Sequence, residues 1–209
     1  MLITTSAIPK FYSNGLDLAH AAATPAFFPR SLYALWHALL TYPMPTLALL
    51  NGHAFAGALM LAAFHDYRLM NPHRGFLCLN ELELGVPLRP PMAAVFRQKV
   101  GAAAFRALVL EARRFAALEA LEAGLVDGVG GVPEALAFVE EMALVRKAGG
   151  VYGELKREMW GETVGLLEGF RREEEREEEA RLRRERERDE QLERVVEWER
   201  RERAERAKL

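Results

Sequence analysis

Pro45 to Met70 read PTLALLNGHAFAGALMLAAFHDYRLM, and this stretch decides the fold class. Thr46 to Leu50 is an unbroken apolar run of strand length, the pattern of a strand covered on both faces. Gly57 to Phe64 is small and apolar and predicts a buried helix, and Tyr67 to Met70 returns to strand-like residues. Strand, helix and strand in so short a span predict parallel pairing through crossovers, an α/β architecture with its functional groups in the loops at strand ends.

The same alternation continues on both sides. Leu2 to Thr5 predicts a strand and Pro29 to Thr41 a helix. Downstream, Pro91 to Val100, Ala102 to Arg113 and Ala117 to Ala123 predict helices. Leu125 to Val129 predicts a short strand, and Pro133 to Lys147 a further helix opening on proline. The pattern changes near Gly169: of the 39 residues from Arg171 to Leu209, 14 are basic and 15 acidic. This run has no Gly or Pro and many opposite charges four apart, such as Glu177/Arg181, Glu179/Arg183, Glu190/Arg194 and Glu202/Arg206, which predicts a long solvated helix. Its apolar positions Leu182, Leu192, Val195, Val196 and Trp198 are too sparse for a heptad seam. The expected division is a core over residues 1–150 and a helical region over 151–209.

Composition excludes several classes of function. The 209 residues carry a net charge of −2, so no global basic field holds a nucleic acid. The most apolar stretch, Leu47 to Phe64, is interrupted by Asn51, Gly52, His53 and Gly57, against a membrane-spanning helix. The single cysteine, Cys78, cannot form an internal disulfide, and MLITTSAIPKFY lacks the features of a secretory signal, so a reducing compartment is expected.

Two loops crowded with small residues read either as plain tight turns or as a ligand-approach site. Phe11-Tyr12-Ser13-Asn14-Gly15-Leu16-Asp17 follows the first strand, and Asn51-Gly52-His53-Ala54-Phe55-Ala56-Gly57 runs into a helix. Glycine at such turns lets backbone approach a ligand, and a pair of free N–H groups can hold an oxyanion developing on a thioester or amide carbonyl. Neither loop matches a dinucleotide fingerprint or a phosphate loop. His53, Asp66 and Cys78 could be drawn as a thiol triad, but no local signature surrounds Cys78, and His53 and His65 lack a ligand pattern for a metal. Asp17 is placed to cap the helix beginning LAHAAA. Pro43 and Pro45 around Met44 end the preceding helix, and Trp36 and Phe27 are expected in packing.

KFYSNGLDL (Lys10 to Leu18), PTLALLNGHAFAGALMLAAFHDYRLM, GFLCLNELELGVPL (Gly75 to Leu88) and RRFAALEALEAGLVDGV (Arg113 to Val129) together resemble the enoyl-CoA hydratase/isomerase superfamily, the crotonases. The HDYRLM and PLRPPMAAVFRQKVG segments are most similar to plant and fungal peroxisomal 3-enoyl-CoA (delta3,delta2) isomerases. The resemblance covers about Leu2 to Lys147. It implies a crotonase-like ββα spiral core and an oxyanion hole built from the backbone N–H groups of Leu16 and Gly57. Ser13, Asn14, Gly15, Leu16, Asp17 and Gly57 would bind the acyl-CoA thioester, in which coenzyme A is part of the substrate and no separate cofactor or metal is expected.

Hydratases of the family carry two glutamates. The first position is Met60 here, three residues beyond Gly57, and the second is Glu81, four before Gly85. One carboxylate suffices to move a proton during isomerisation, whereas hydration loses half of its acid/base pair. On an extended segment Glu83 would share a face with Glu81, so spacing leaves both open and the resemblance selects Glu81. Leu79, Leu82, Met60 and Leu84 would raise its pKa by apolar surroundings.

The resemblance therefore implies isomerisation of a 3-enoyl-CoA to the trans-2-enoyl-CoA in fatty-acid β-oxidation. Another crotonase reaction such as hydration, or a noncatalytic protein binding acyl-CoA or a partner, stands as the alternative. Ala207-Lys208-Leu209 resembles a peroxisomal address read by an import receptor, with cytoplasm as the alternative location. Family members have about one further strand, helix and strand before the segment matching Leu2 to Thr5, so those opening elements are expected to be lacking. The helices that build homotrimers in the family are only loosely matched by Val151 to Phe170.

Overall fold

A computed structural model describes residues 1–169, 180–195 and 198. Met1–Glu168 form one compact unit and 169–209 a second, so the division lies beyond 150/151. The reason is physical: residues 152–168 are helical and their buried Lys156 is bonded to Asp66 and to the Leu39 carbonyl.

Two parallel sheets organise the first unit. One contains β1 (Leu2–Thr4), β3 (Thr46–Leu50), β5 (Tyr67–Met70) and β7 (Gly128–Val129), in the order β1-β3-β5-β7; the other contains β2 (Phe11–Ser13), β4 (His53–Phe55) and β6 (Leu77–Cys78), in the order β2-β4-β6. The first three turns of the chain each lay one strand in each sheet and then enter a helix, which is the ββα spiral implied by the resemblance, and β7 leads straight into a helix. Register follows the apolar run: Leu47 to Leu50 pair with Tyr67 to Met70, and all five residues of β3 are buried.

The helices are α1 (Leu18–Ala23), a π-helical turn (Phe28–Leu32) leading into α2 (Tyr33–Leu40), α3 (Gly57–Ala63), α4 (Glu81–Leu84), α5 (Pro90–Lys99), α6 (Ala102–Leu110), α7 (Ala117–Glu122), α8 (Val132–Glu141), a 3₁₀ turn (Leu144–Lys147), α9 (Tyr152–Met159) and α10 (Gly161–Glu168). Prolines open α5 at its first two positions, where no N–H is needed, and Arg97 and Lys99 sit in its last turn. Glu134 accepts a 2.7 Å hydrogen bond from the Gly131 N–H and fixes the start of α8. The helix predicted over Pro133 to Lys147 is two pieces because Ala143 takes φ 51°, outside the helical region. Trp36 is fully buried as expected and stacks on Phe64 at 4.6 Å between centroids.

In the second unit, residues 180–195 are helical and almost entirely exposed, with Arg194 4.0 Å from Glu190. The pairs at Glu177, Glu179 and Glu202, and the Ala207-Lys208-Leu209 ending, lie outside the described residues. Among the described residues no helix is long and apolar enough to cross a membrane.

Candidate active site

Two turns and one short helix meet at a cavity of about 300 Å³. The turn after β2 contributes Asn14 and Leu16, the turn after β4 contributes Ala56 and Gly57, and α4 contributes Glu81 and Leu84. A β-carbon on Gly57 would fall 2.8 Å from Leu16 Cγ and 3.4 Å from Leu16 N, so only glycine lets the two turns approach this closely. No backbone hydrogen bond between described residues uses the Leu16 or the Gly57 N–H. Among the described residues these two neighbouring backbone donors have no backbone acceptor. Ala56, just before Gly57, is held at φ 49° and ψ −123°, a conformation side chains rarely adopt, which fixes the direction of the following amide.

Glu81 is the one carboxylate among the side chains lining this cavity. Its Oε2 is buried and no donor reaches it. Burial pushes its carboxyl above the usual glutamate range, and its own backbone N–H opposes the shift in part. Met60, buried on α3, lines the cavity wall. Of the four apolar neighbours expected, Met60 lines the cavity and is buried, Leu79 is buried, and Leu82 and Leu84 are exposed although Leu84 lines the cavity.

The segment carrying Glu81 is a helical turn, not an extended strand. Gly85 ends it in the left-handed region, at φ 67° and ψ 25°, with its N–H returned to the Glu81 and Leu82 carbonyls. In a helix, residues two apart point to different faces, so Glu83 does not share the face of Glu81. It is exposed, 3.7 Å from Arg114.

The residues expected from SNGLD divide. Asn14 and Leu16 line the cavity, Ser13 Oγ accepts from the Gly15 N–H at 3.3 Å, and Asp17 caps α1 by accepting from the His20 N–H at 2.9 Å. The thiol triad is not assembled. Cys78 is buried, donates to the Ala112 carbonyl at 3.2 Å, and is pushed up by burial. His53 accepts from the Phe76 N–H and packs among Phe11, Phe55 and Phe76, while Asp66 belongs to a separate ion-pair cluster with Lys156 at 3.0 Å.

Several lining residues were not singled out from the sequence, among them Asn80, Arg89 and Phe28. Asn80 precedes Glu81, and Arg89 stacks its guanidinium over the Phe28 ring at 3.4 Å in the same cavity. Asn80 lies within the GFLCLNELELGVPL segment and Arg89 directly follows it, whereas the contact with Phe28 joins residues far apart in the chain and leaves no local signal.

The sequence matches the enoyl-CoA hydratase/isomerase family over residues 1–186. It is 35% identical to the Arabidopsis thaliana protein named enoyl-CoA delta isomerase 2, peroxisomal, over 79% of this chain and 76% of that one. Identity to enoyl-CoA delta isomerase 1, peroxisomal, of the same plant is 38%, over 80% of this chain and 75% of the relative. Among solved structures, human mitochondrial delta3-delta2-enoyl-CoA isomerase superposes with a TM-score of 0.68 at 27% identity, covering 81% of this chain and 68% of that one. The chain is a member of the enoyl-CoA hydratase/isomerase family, with its crotonase-like α/β fold.

Proposed function

We propose that the protein is an isomerase converting a 3-enoyl-CoA to the trans-2-enoyl-CoA in fatty-acid β-oxidation. The observation that carries the reading is a single half-buried carboxylate, its Oε2 buried without a donor, in a cavity that also presents two adjacent unused backbone N–H groups. The Leu16 and Gly57 amides hold the thioester oxygen. Charge drawn onto that oxygen acidifies C2, Glu81 takes the C2 proton, and the resulting dienolate recovers a proton from Glu81 at C4. The double bond moves from C3–C4 to C2–C3, and the carboxylate is regenerated. The raised proton affinity of Glu81 suits a group that must both accept and return a proton near neutral pH.

Hydration needs a second acid/base group, and Met60 cannot provide one. The names of the Arabidopsis relatives support the isomerase reading and a peroxisomal location. The address at Ala207-Lys208-Leu209 is tested by imaging a fusion with and without those residues, whose identical distribution would dismiss it. The reaction is tested with purified protein and a 3-enoyl-CoA, following the conjugated thioester. Wild-type turnover abolished in Glu81→Gln is expected; a folded, acyl-CoA-binding protein with no turnover would instead indicate a noncatalytic binder.

A further inference from the structure

Consecutive residues Asn80 and Glu81 carry two buried acceptors, Asn80 Oδ1 and Glu81 Oε2, that no donor reaches. Both residues line the same cavity. Orphaned buried acceptors are rare because each forfeits its hydration, so two on adjacent residues mark a site that needs a donor it does not itself contain. Asn80 occupies the position before α4, where an asparagine ordinarily spends its side-chain oxygen on the backbone N–H groups of the first turn. Here it makes no such bond.

The reacting part of a 3-enoyl thioester offers neither N–H nor O–H. The reaction nevertheless creates one donor in the cavity. When the C2–H bond breaks, its electron pair enters the dienolate and its proton becomes the carboxyl O–H of Glu81. We infer that Asn80 is a positioning residue for that state: its Oδ1 accepts the hydrogen bond of protonated Glu81 and keeps the proton in the site until C4 takes it back. Asn80 exchanges no proton itself, and the carboxylate returns to its starting form. The inference rests on Glu81 being the base. It adds a reason why the proton released at C2 is the one delivered to C4.

The test uses a 3-enoyl-CoA deuterated at C2, with the deuterium found at C4 measured beside the pH dependence of kcat. For Asn80→Leu, kcat is expected to fall roughly ten-fold with KM within about two-fold, and the acid limb to move about one pH unit lower, since the protonated acid loses its acceptor. Deuterium carried to C4 should fall to about half or less, because the proton then escapes to solvent more often. Asn80→Asp keeps an acceptor but adds negative charge, so the limb moves upward instead.

An unchanged limb and unchanged label transfer in Asn80→Leu would overturn the proposal even if kcat fell. Should the leucine variant fail to fold, the aspartate variant decides, and a limb that stays or moves down overturns the proposal. Turnover surviving in Glu81→Gln would remove the base and this role together. Loss of turnover there, with Asn80→Leu unaffected, would remove this role alone.

Discussion

The cavity at Glu81 and the pocket at Asp66 lie in the same compact unit and treat a carboxylate in opposite ways. Asp66 Oδ2 accepts from the Thr46 N–H at 2.8 Å and from Lys156 Nζ at 3.0 Å, and Thr46 Oγ1 lies 2.9 Å from the Asp66 N–H. Around it, Arg68 reaches Asp127 at 3.1 Å and the Leu125 carbonyl at 2.9 Å, while Lys99 holds the His65 carbonyl at 2.7 Å and lies over the Trp160 ring. Every buried charge there has a partner, so the pocket locks α9 and the strand starts together. Glu81 has apolar walls and a raised proton affinity instead. Asp66 is surrounded by donors, whereas Glu81 keeps one buried oxygen that no donor reaches.

Exchanging each carboxylate for its amide should separate the two roles. Glu81→Gln is expected to lower kcat by about 10³-fold or more, within or above the range for a lost general base. Its thermal midpoint should stay level or rise, because a carboxylate oxygen buried without a donor is removed. Asp66→Asn should do the reverse, leaving the Lys156 charge buried with neutral acceptors only, at a cost of about 3 kcal/mol. Turnover per folded molecule should be unchanged. Urea melts and initial rates on the two variants settle the matter, and a glutamine variant that loses stability as much as the asparagine one would erase the distinction.

The sequence was informative about these two regions to different degrees. Thr46 to Leu50, Tyr67 to Met70 and the small-residue turn at Gly57 were legible because their patterns are local. The strands of the second sheet were not: Phe11–Ser13, His53–Phe55 and Leu77–Cys78 are two or three residues long, too short for an alternation to show, and two of them were read as loop. Glu81 was found through the family resemblance, and its separation from Glu83 emerged only with the helical turn ended by Gly85. The Asp66–Lys156 pair joins residues 90 apart in sequence, and neither side chain carries a local mark of its partner.

Acid titration offers a further contrast, because His65 and Glu81 shift in ways that give opposite slopes. His65 is fully buried, donates from Nδ1 to the Leu61 carbonyl at 2.9 Å, and lies 3.0 Å from Thr4 Oγ1 at Nε2. The carbonyl fixes Nδ1 as the donor, so Nε2 accepts from Thr4 in the neutral ring. Burial lowers its pKa from 6.5 to about 4, with the nearby Lys99 and Arg68 adding to the effect. Between those values the unfolded chain binds more protons, so stability present above pH 6.5 is lost as pH falls toward 4, by about 3 kcal/mol in all. Glu81 has the reverse sign: the native state binds more protons between the ordinary carboxyl pKa and its raised value, and stability grows as pH falls through that window. Urea unfolding from pH 7 to 4 should show a shallower acid loss in His65→Asn and a steeper one in Glu81→Gln; equal slopes would contradict the assignment.

The smallest effect concerns the strain beside the proposed oxyanion donors. Ala56 sits at φ 49° and ψ −123°, which glycine adopts freely and alanine does not. Ala56→Gly should therefore relieve the turn, with a net gain of about 1 kcal/mol after the added freedom of the unfolded glycine chain is deducted. If the strain serves only to join β4 to α3, turnover should follow folding and stay constant. If it holds the Gly57 N–H against the Leu16 N–H, the relaxed turn should lower kcat several-fold while KM changes little, since the donors matter most when the oxygen carries charge. Stability up with kcat down would show that the turn contributes to catalysis through its strained geometry. Asp66 offers no comparable trade, because its surroundings gain nothing by being loosened.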